Sequence, residues 1–126
     1  MCLEEKLPII STFWADPSPT HARIHQAGAL HLHTVGDVDE ALHAVAAGVD
    51  VVVAQGWEAG GHVRGGTTTM ALVPAVVDAV DPVPVVVAGG IADGRGVAAG
   101  VPVAWATSGI AQNPLRPTDP KAAEQP

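Results

Sequence analysis

The chain has 126 residues and a formal net charge of −7, which suit one small domain and argue against nucleic acids or anionic membranes as partners. Hydrophobic residues make up 48% of the chain, enough for an aliphatic core, but no apolar run is long enough to cross a membrane. A single cysteine excludes an internal disulfide and a cysteine-based zinc site, and the acidic N-terminus is unlike a signal peptide, so we expect a cytoplasmic protein.

Apolar, β-branched segments predict four strands and a weaker fifth. Continuous runs of Val and Ile are typical of strands buried on both faces, as in parallel sheets. The first three begin about 20 residues apart, the spacing of consecutive strand–helix units. The predicted strands cover residues 7–13, 29–35, 49–54 and 84–88, with 101–106 as the weak fifth.

Helical signals lie between these segments, so the sequence predicts an α/β fold with parallel strands. Ser18 offers an N-cap for the first helix, and Asp37 starts a capping-box pattern for the second. A third helix is expected at 72–80, beginning near Pro74, and a fourth at 94–99.

The loop after the third strand carries the residues best suited to chemistry. It reads Gln55-Gly56-Trp57-Glu58-Ala59-Gly60-Gly61-His62, and the connection to the next helix is unusually long. Histidine exchanges a proton near neutral pH, and glycines let a ligand approach the backbone closely. Trp57 either shapes a pocket or covers the core, and Glu58 either supports the site or is solvated. Arg64 either meets an acidic group or, as is more common for such an arginine, is simply exposed.

Two glycine motifs together resemble the nitronate monooxygenase family, formerly called 2-nitropropane dioxygenase. The first is the loop at 55–62, and the second reads Val87-Ala88-Gly89-Gly90-Ile91-Ala92-Asp93-Gly94-Arg95-Gly96. Their order and separation also match those of the family. The resemblance implies an FMN-dependent (β/α)8 barrel, with about four C-terminal strand–helix units in residues 1–104. Residues 105–126 then form an irregular, Pro-rich tail that is expected to be disordered.

The resemblance also implies a role for each matched residue. His62 acts on the acidic C–H of the substrate or on its nitronate, and the flavin and O2 carry out the oxidation. The implied substrates are alkyl nitronates or small nitroalkanes. Contacts to FMN are implied for Gln55, Gly60, Gly61 and, from a looser alignment, Thr34, and contacts to its phosphate for Gly89 and Gly90.

Two departures from the family pattern support alternative functions. The chain begins about where the fourth barrel strand is expected, and the family's eighth strand and Gly-Thr-Arg-Phe-like motif do not follow Ala99. Pro102 is expected to stop the last helix early. Four strands cannot close an eight-stranded barrel, and a homo-oligomer is one way to cover the open edges. The alternatives are a truncated, inactive fragment and a related flavin barrel, such as an enoyl-thioester reductase.

Two other patterns resemble ligand sites but lack the features that such sites need. His21 and His25 share a helix face and His31 and His33 share a strand face, which together form a candidate zinc set. No Cys or carboxylate completes that set, and the two faces would have to meet, so no metal is predicted. A Gly-x-Gly-x-x-Ala pattern at 94–99 resembles a dinucleotide fingerprint, but it lies too far from the preceding strand for the required tight turn.

Overall fold

The computed structural model describes residues 5–107, in which four parallel strands alternate with four helices. The strands pair in chain order and are β1 (Ile9–Phe13), β2 (Leu30–Val35), β3 (Val51–Gln55) and β4 (Val85–Ala88). The helices are α1 (Ser18–Gln26), α2 (Val38–Ala46), α3 (Thr69–Val80) and α4 (Gly94–Thr107). The predicted α/β class is confirmed. None of the helices in this range has the length and apolarity that a membrane-spanning helix needs.

The core lies between one face of the sheet and helices α2 and α3. Val52 and Ala54 of β3 are fully buried, and Val73 and Val76 of α3 belong to the same apolar cluster. Burying one such valine stabilises the fold by about 1.5–3 kcal/mol, so this cluster is the main support for the strand that leads into the candidate site.

The face of the sheet away from the helices is open among the described residues. Ile9, Phe13, Leu30 and Val86 point to that side and are each about half exposed. The continuous Val and Ile runs predicted burial on both faces, and this prediction is wrong for the described sheet. The physical reason is the number of strands, because four strands form an open sheet whereas eight enclose their inner face.

Helix α3 begins at Thr69, ahead of the predicted start near Pro74. Its N-cap residue, Thr68, makes no side-chain capping bond, and the carboxylate of Glu58 accepts the Thr69 N–H instead. A cap supplied by a residue in a preceding loop satisfies one of the free N–H groups of the first turn without leaving a local signal.

The other helix starts follow local rules. Asp37 is the N-cap of α2 as predicted, and its Oδ1 accepts the Glu40 N–H at 2.8 Å. Ser18 is not an N-cap, because Pro17 holds that position and Asp16 Oδ1 accepts the Ser18 N–H at 2.9 Å.

The predicted fifth strand at 101–106 is wrong, because this segment belongs to helix α4. The alternation of Val101 and Val103 with smaller residues imitates the period of a strand, but the neighbouring alanines favour a helix. Pro102 lacks one backbone donor and does not stop the helix, which continues to Thr107. Residues 108–126, most of the predicted tail, lie outside the described residues.

A hydrogen-bonded row of histidines lies between α1 and the helix-covered face of the sheet. Thr12 Oγ1 is 2.7 Å from both His31 Nε2 and His33 Nδ1, and His21 Nδ1 is 3.4 Å from His31 Nδ1. The helix and strand faces that bear these histidines therefore do meet. Within residues 5–107, however, no three His, Cys, Asp or Glu side chains are arranged to hold a metal ion.

Acidification is expected to destabilise the fold through this row. His31 and His33 are buried, and burial lowers the pKa of both; neighbouring His21 adds to the effect at His31. The unfolded chain therefore takes up protons first. The stability gained from neutral histidines is complete above the ordinary pKa of about 6.5 and is lost as the pH falls toward the lowered values.

Urea unfolding of the wild-type chain at about pH 7.5 and about pH 5.5 measures this loss. The charged and titratable neighbours include His25 and Asp50 beside His31, and Asp16, Glu40 and His43 beside His33. The free energy of unfolding of a His31→Gln variant should differ less between the two pH values than that of the wild type. An equal difference in the two proteins would contradict the assignment of this pH dependence to His31.

Candidate active site

The predicted site residues gather at the edge of the sheet where the carboxyl ends of the strands meet. Gln55 ends β3 and pairs with Ala88, which ends β4. Thr34 lies one residue before the end of β2, on the face away from the helices. A glycine-rich loop follows both Gln55 and Ala88, so the fold brings the two motifs to the edge at which α/β proteins bind ligands.

His62 is held at this edge by its backbone and by one aromatic contact. Gln55 Nε2 donates to the His62 carbonyl oxygen at 3.0 Å. The ring of Trp14, which follows β1, lies edge-on to the imidazole with centroids 5.3 Å apart. The His62 side chain remains exposed, so it is accessible to a small molecule. Trp14 was not identified from the sequence, because its contact joins distant segments.

Arg64 connects the far end of the same loop to the segments that follow β1 and β2. Its guanidinium forms an ion pair with Glu40 and donates to the Trp14 carbonyl oxygen at 3.2 Å. Glu40 also accepts the Gly36 N–H at 2.8 Å. A Cβ on Gly65 would lie only 2.2 Å from the Gly36 carbonyl oxygen, so the two backbones touch. Arg64 thus has an acidic partner and is not an isolated surface cation.

The two glycine motifs meet around Glu58 and Thr69. Both carboxylate oxygens of Glu58 accept the Thr69 N–H, at 3.1 and 3.0 Å, and the Thr69 hydroxyl donates to the Gly89 carbonyl oxygen at 3.0 Å. The Gly56 N–H donates to the Ala88 carbonyl oxygen at 2.9 Å. Hydrogen bonds from the backbone N–H groups of Glu58 itself and of Thr69 lower the pKa of Glu58. Glu58 is therefore a bonded carboxylate that holds the start of α3, and Thr69 makes the bond to the second glycine loop.

Thr69 is the site-building residue that the sequence did not reveal. It is 4% exposed, and its hydroxyl and N–H are both engaged. The one available signal was its position just before an apolar run, in a stretch of three threonines. That signal predicts a helix start but not a bond to Gly89, which lies in another loop.

The glycines of the two motifs have different surroundings. A Cβ on Gly89 would lie 2.9 Å from Ala59 N, and both Gly89 and Gly90 have positive φ, at 115° and 70°. No atom lies within 4 Å of the Cβ positions at Gly60 and Gly61, so these two border open space. The open space at Gly60 and Gly61 leaves room for a flat ring. The backbone N–H groups of a glycine turn can hold an anion, so the Gly89–Gly90 turn is compatible with a flavin phosphate.

The geometry bears on Trp57 and on the Gly-x-Gly-x-x-Ala pattern at 94–99. Trp57 is 62% exposed and covers no core in the described part of the chain. Gly94 begins helix α4, where Asp93 Oδ1 accepts the Arg95 N–H at 2.9 Å. The stretch that resembles a dinucleotide fingerprint is therefore a capped helix start.

Parallel strand–helix units with glycine loops at the carboxyl edge define this fold as part of a (β/α)8 barrel. The sequence matches the model of the nitronate monooxygenase family over residues 1–107, and the chain belongs to that family.

Three relatives show the extent of this similarity. The protein Rv1533 of Mycobacterium tuberculosis, named a monooxygenase, is 50% identical over 91 residues, which are 72% of this chain and 24% of that protein. FabK from Thermotoga maritima superposes with a TM-score of 0.77 and 38% identity, covering 82% of this chain and 32% of FabK. A nitroalkane oxidase from Streptomyces ansochromogenes superposes with a TM-score of 0.70 and 36% identity. The match covers 80% of this chain and 32% of the oxidase. The chain spans about a quarter to a third of the length of these proteins.

Proposed function

We propose that the chain carries part of the active site of an FMN-dependent oxidoreductase that oxidises alkyl nitronates or nitroalkanes with O2. The observation that best supports this is the junction of the two glycine motifs, in which Thr69 bonds to Gly89 next to the loop that bears His62. Membership of the nitronate monooxygenase family and the likeness to a nitroalkane oxidase support the same chemistry.

In this proposal the residues at the carboxyl edge have separate roles. His62 accepts the proton of the carbon next to the nitro group at a ring nitrogen, or holds the nitronate anion. Bound FMN supplies the electron acceptor and the reaction with O2. The backbone N–H groups of the second glycine turn hold its phosphate. The residues proposed to contact FMN are Gln55, Gly60, Gly61, Thr34, Gly89 and Gly90.

Titration of the purified chain with FMN tests this function. We expect a saturable shift of the flavin absorbance spectrum, and weaker binding of riboflavin, which has no phosphate for Gly89 and Gly90 to hold. No binding at high micromolar FMN would overturn the proposal for this chain and favour the alternative of a catalytically inactive fragment. The half-exposed apolar side chains of the open sheet face support that alternative.

The likeness to FabK favours a second candidate, a related flavin barrel such as an enoyl-thioester reductase. Oxidation of NAD(P)H by the flavin-loaded chain, dependent on an enoyl thioester, would distinguish it from nitronate oxidation. We also propose that a homo-oligomer covers the open face of the sheet and that the protein is cytoplasmic.

A further inference from the structure

We propose that Glu58 and Thr69 are positioning residues that lock the His62 loop onto the Gly89–Gly90 loop and so set where the flavin phosphate is held. The lock itself consists of contacts within the chain. Its consequence for flavin rests on the proposed function.

Thr69 is the buried centre of the lock. Its N–H donates to the Glu58 carboxylate at 3.0 Å, and its hydroxyl donates to the Gly89 carbonyl oxygen at the same distance. One residue thus bonds to the loop after β3 and to the loop after β4 while it begins α3. Because Thr69 is almost fully buried, leaving either group without a partner is costly, and this fixes the relative position of the three segments.

The glycines show how closely the loops approach this pair. A Cβ on Gly56 would lie 2.0 Å from Thr69 Oγ1, and one on Gly89 would lie 3.0 Å from the same atom. A Cβ on Gly90 would lie 2.9 Å from Glu58 Cγ. Glycines from both motifs therefore pack directly on the two positioning residues, which is a reason for glycine at these positions that is separate from any ligand.

Glu58 also determines which backbone N–H groups are available to bind an anion. Its carboxylate occupies the first N–H of α3, so the start of that helix is not open to a phosphate. Within this junction, the Gly89–Gly90 turn, with its two positive φ angles, is the element left to hold an anion. The lock therefore acts on phosphate through the position of that turn.

Variants at Thr69 test the lock through flavin affinity. Thr69→Val keeps the shape and removes the hydroxyl, and we expect FMN to bind about tenfold more weakly, the effect of one lost buried hydrogen bond. The ratio of FMN to riboflavin affinity should fall toward one, a change that general destabilisation would not produce. Thr69→Ser should restore both the FMN affinity and the FMN-to-riboflavin ratio. Thr68→Val is the matched control, because the Thr68 hydroxyl makes no capping bond.

Amide hydrogen exchange without flavin separates this proposal from the proposed function. Thr69→Val should speed exchange of the Gly56 and Ala59 amides, whose bonds lie in the junction, and leave the Val52 amide in β3 unchanged. Glu58→Gln, which keeps the side-chain shape, should speed exchange at Thr69. Accelerated exchange in a chain that binds no FMN would support the lock and overturn the function. Unchanged exchange, or an unchanged FMN-to-riboflavin ratio where the wild type binds FMN, would overturn the lock.

Discussion

Replacement of His62 by alanine is expected to reduce turnover by the flavin-loaded chain by about a hundredfold to ten-thousandfold, the usual contribution of a general base. The flavin should remain bound, because His62 joins the loop through its carbonyl oxygen, which accepts from Gln55 and is kept in alanine. Turnover with a nitroalkane and with the corresponding preformed nitronate measures the effect. A loss confined to the nitroalkane identifies His62 as the base, and a loss with both substrates identifies it as the partner of the nitronate anion.

His43→Ala is the matched control for this experiment. His43 is an exposed histidine on α2 that pairs with Asp16 at 3.2 Å, and among the described residues its side chain makes no hydrogen bond or ion pair with the glycine loops. Its replacement should leave turnover unchanged. Wild-type turnover of both substrates by His62→Ala would show that His62 has no part in the reaction.

Gly56→Ala is expected to have the largest effect on the integrity of the site. The new Cβ would lie 2.0 Å from Thr69 Oγ1 and 2.5 Å from Thr69 N, and a backbone atom cannot move aside as the end of a flexible side chain can. We expect the free energy of unfolding to fall by about 1–3 kcal/mol, the usual cost of overpacking, and flavin binding to be lost. Urea unfolding and FMN titration measure the two effects.

Gly60→Ala is the control for this change and also tests a predicted flavin contact. No atom lies within 4 Å of the Cβ position at Gly60, and its φ lies outside the left-handed region. The free energy of unfolding should therefore stay within about 0.5 kcal/mol of the wild-type value. FMN binding should weaken if the ring lies against Gly60. Unchanged affinity in Gly60→Ala would refute that contact, and unchanged stability in Gly56→Ala would refute the packing argument.

Strands and helix ends whose signals come from residues adjacent in the sequence could be predicted. The apolar runs gave the four parallel strands, and Asp37 marked the start of α2. The start of α3 could not be predicted, because its capping carboxylate comes from Glu58 in a preceding loop. The last helix was misjudged because alternating valines around Pro102 imitate a strand, although the segment continues α4.

The candidate site was identified through its motifs, and the contacts that build it were not predictable. The resemblance led to Gln55 and His62, and the fold places both at the carboxyl edge. Thr69 was missed because its importance comes from a bond to Gly89, twenty residues away in the chain. Such contacts depend on the packing of whole strand–helix units, and no local pattern records them.

The row of histidines behind the sheet affects how a pH–rate profile of this chain would have to be interpreted. Activity lost in acid would combine the pH dependence of the reaction itself with a shrinking fraction of folded molecules as His31 and His33 take up protons. A tightly bound ligand raises the folded fraction and so shifts only the second process. The acid limb should therefore move with flavin concentration at subsaturating FMN and become independent of it at saturation, where only the pH dependence of the reaction remains.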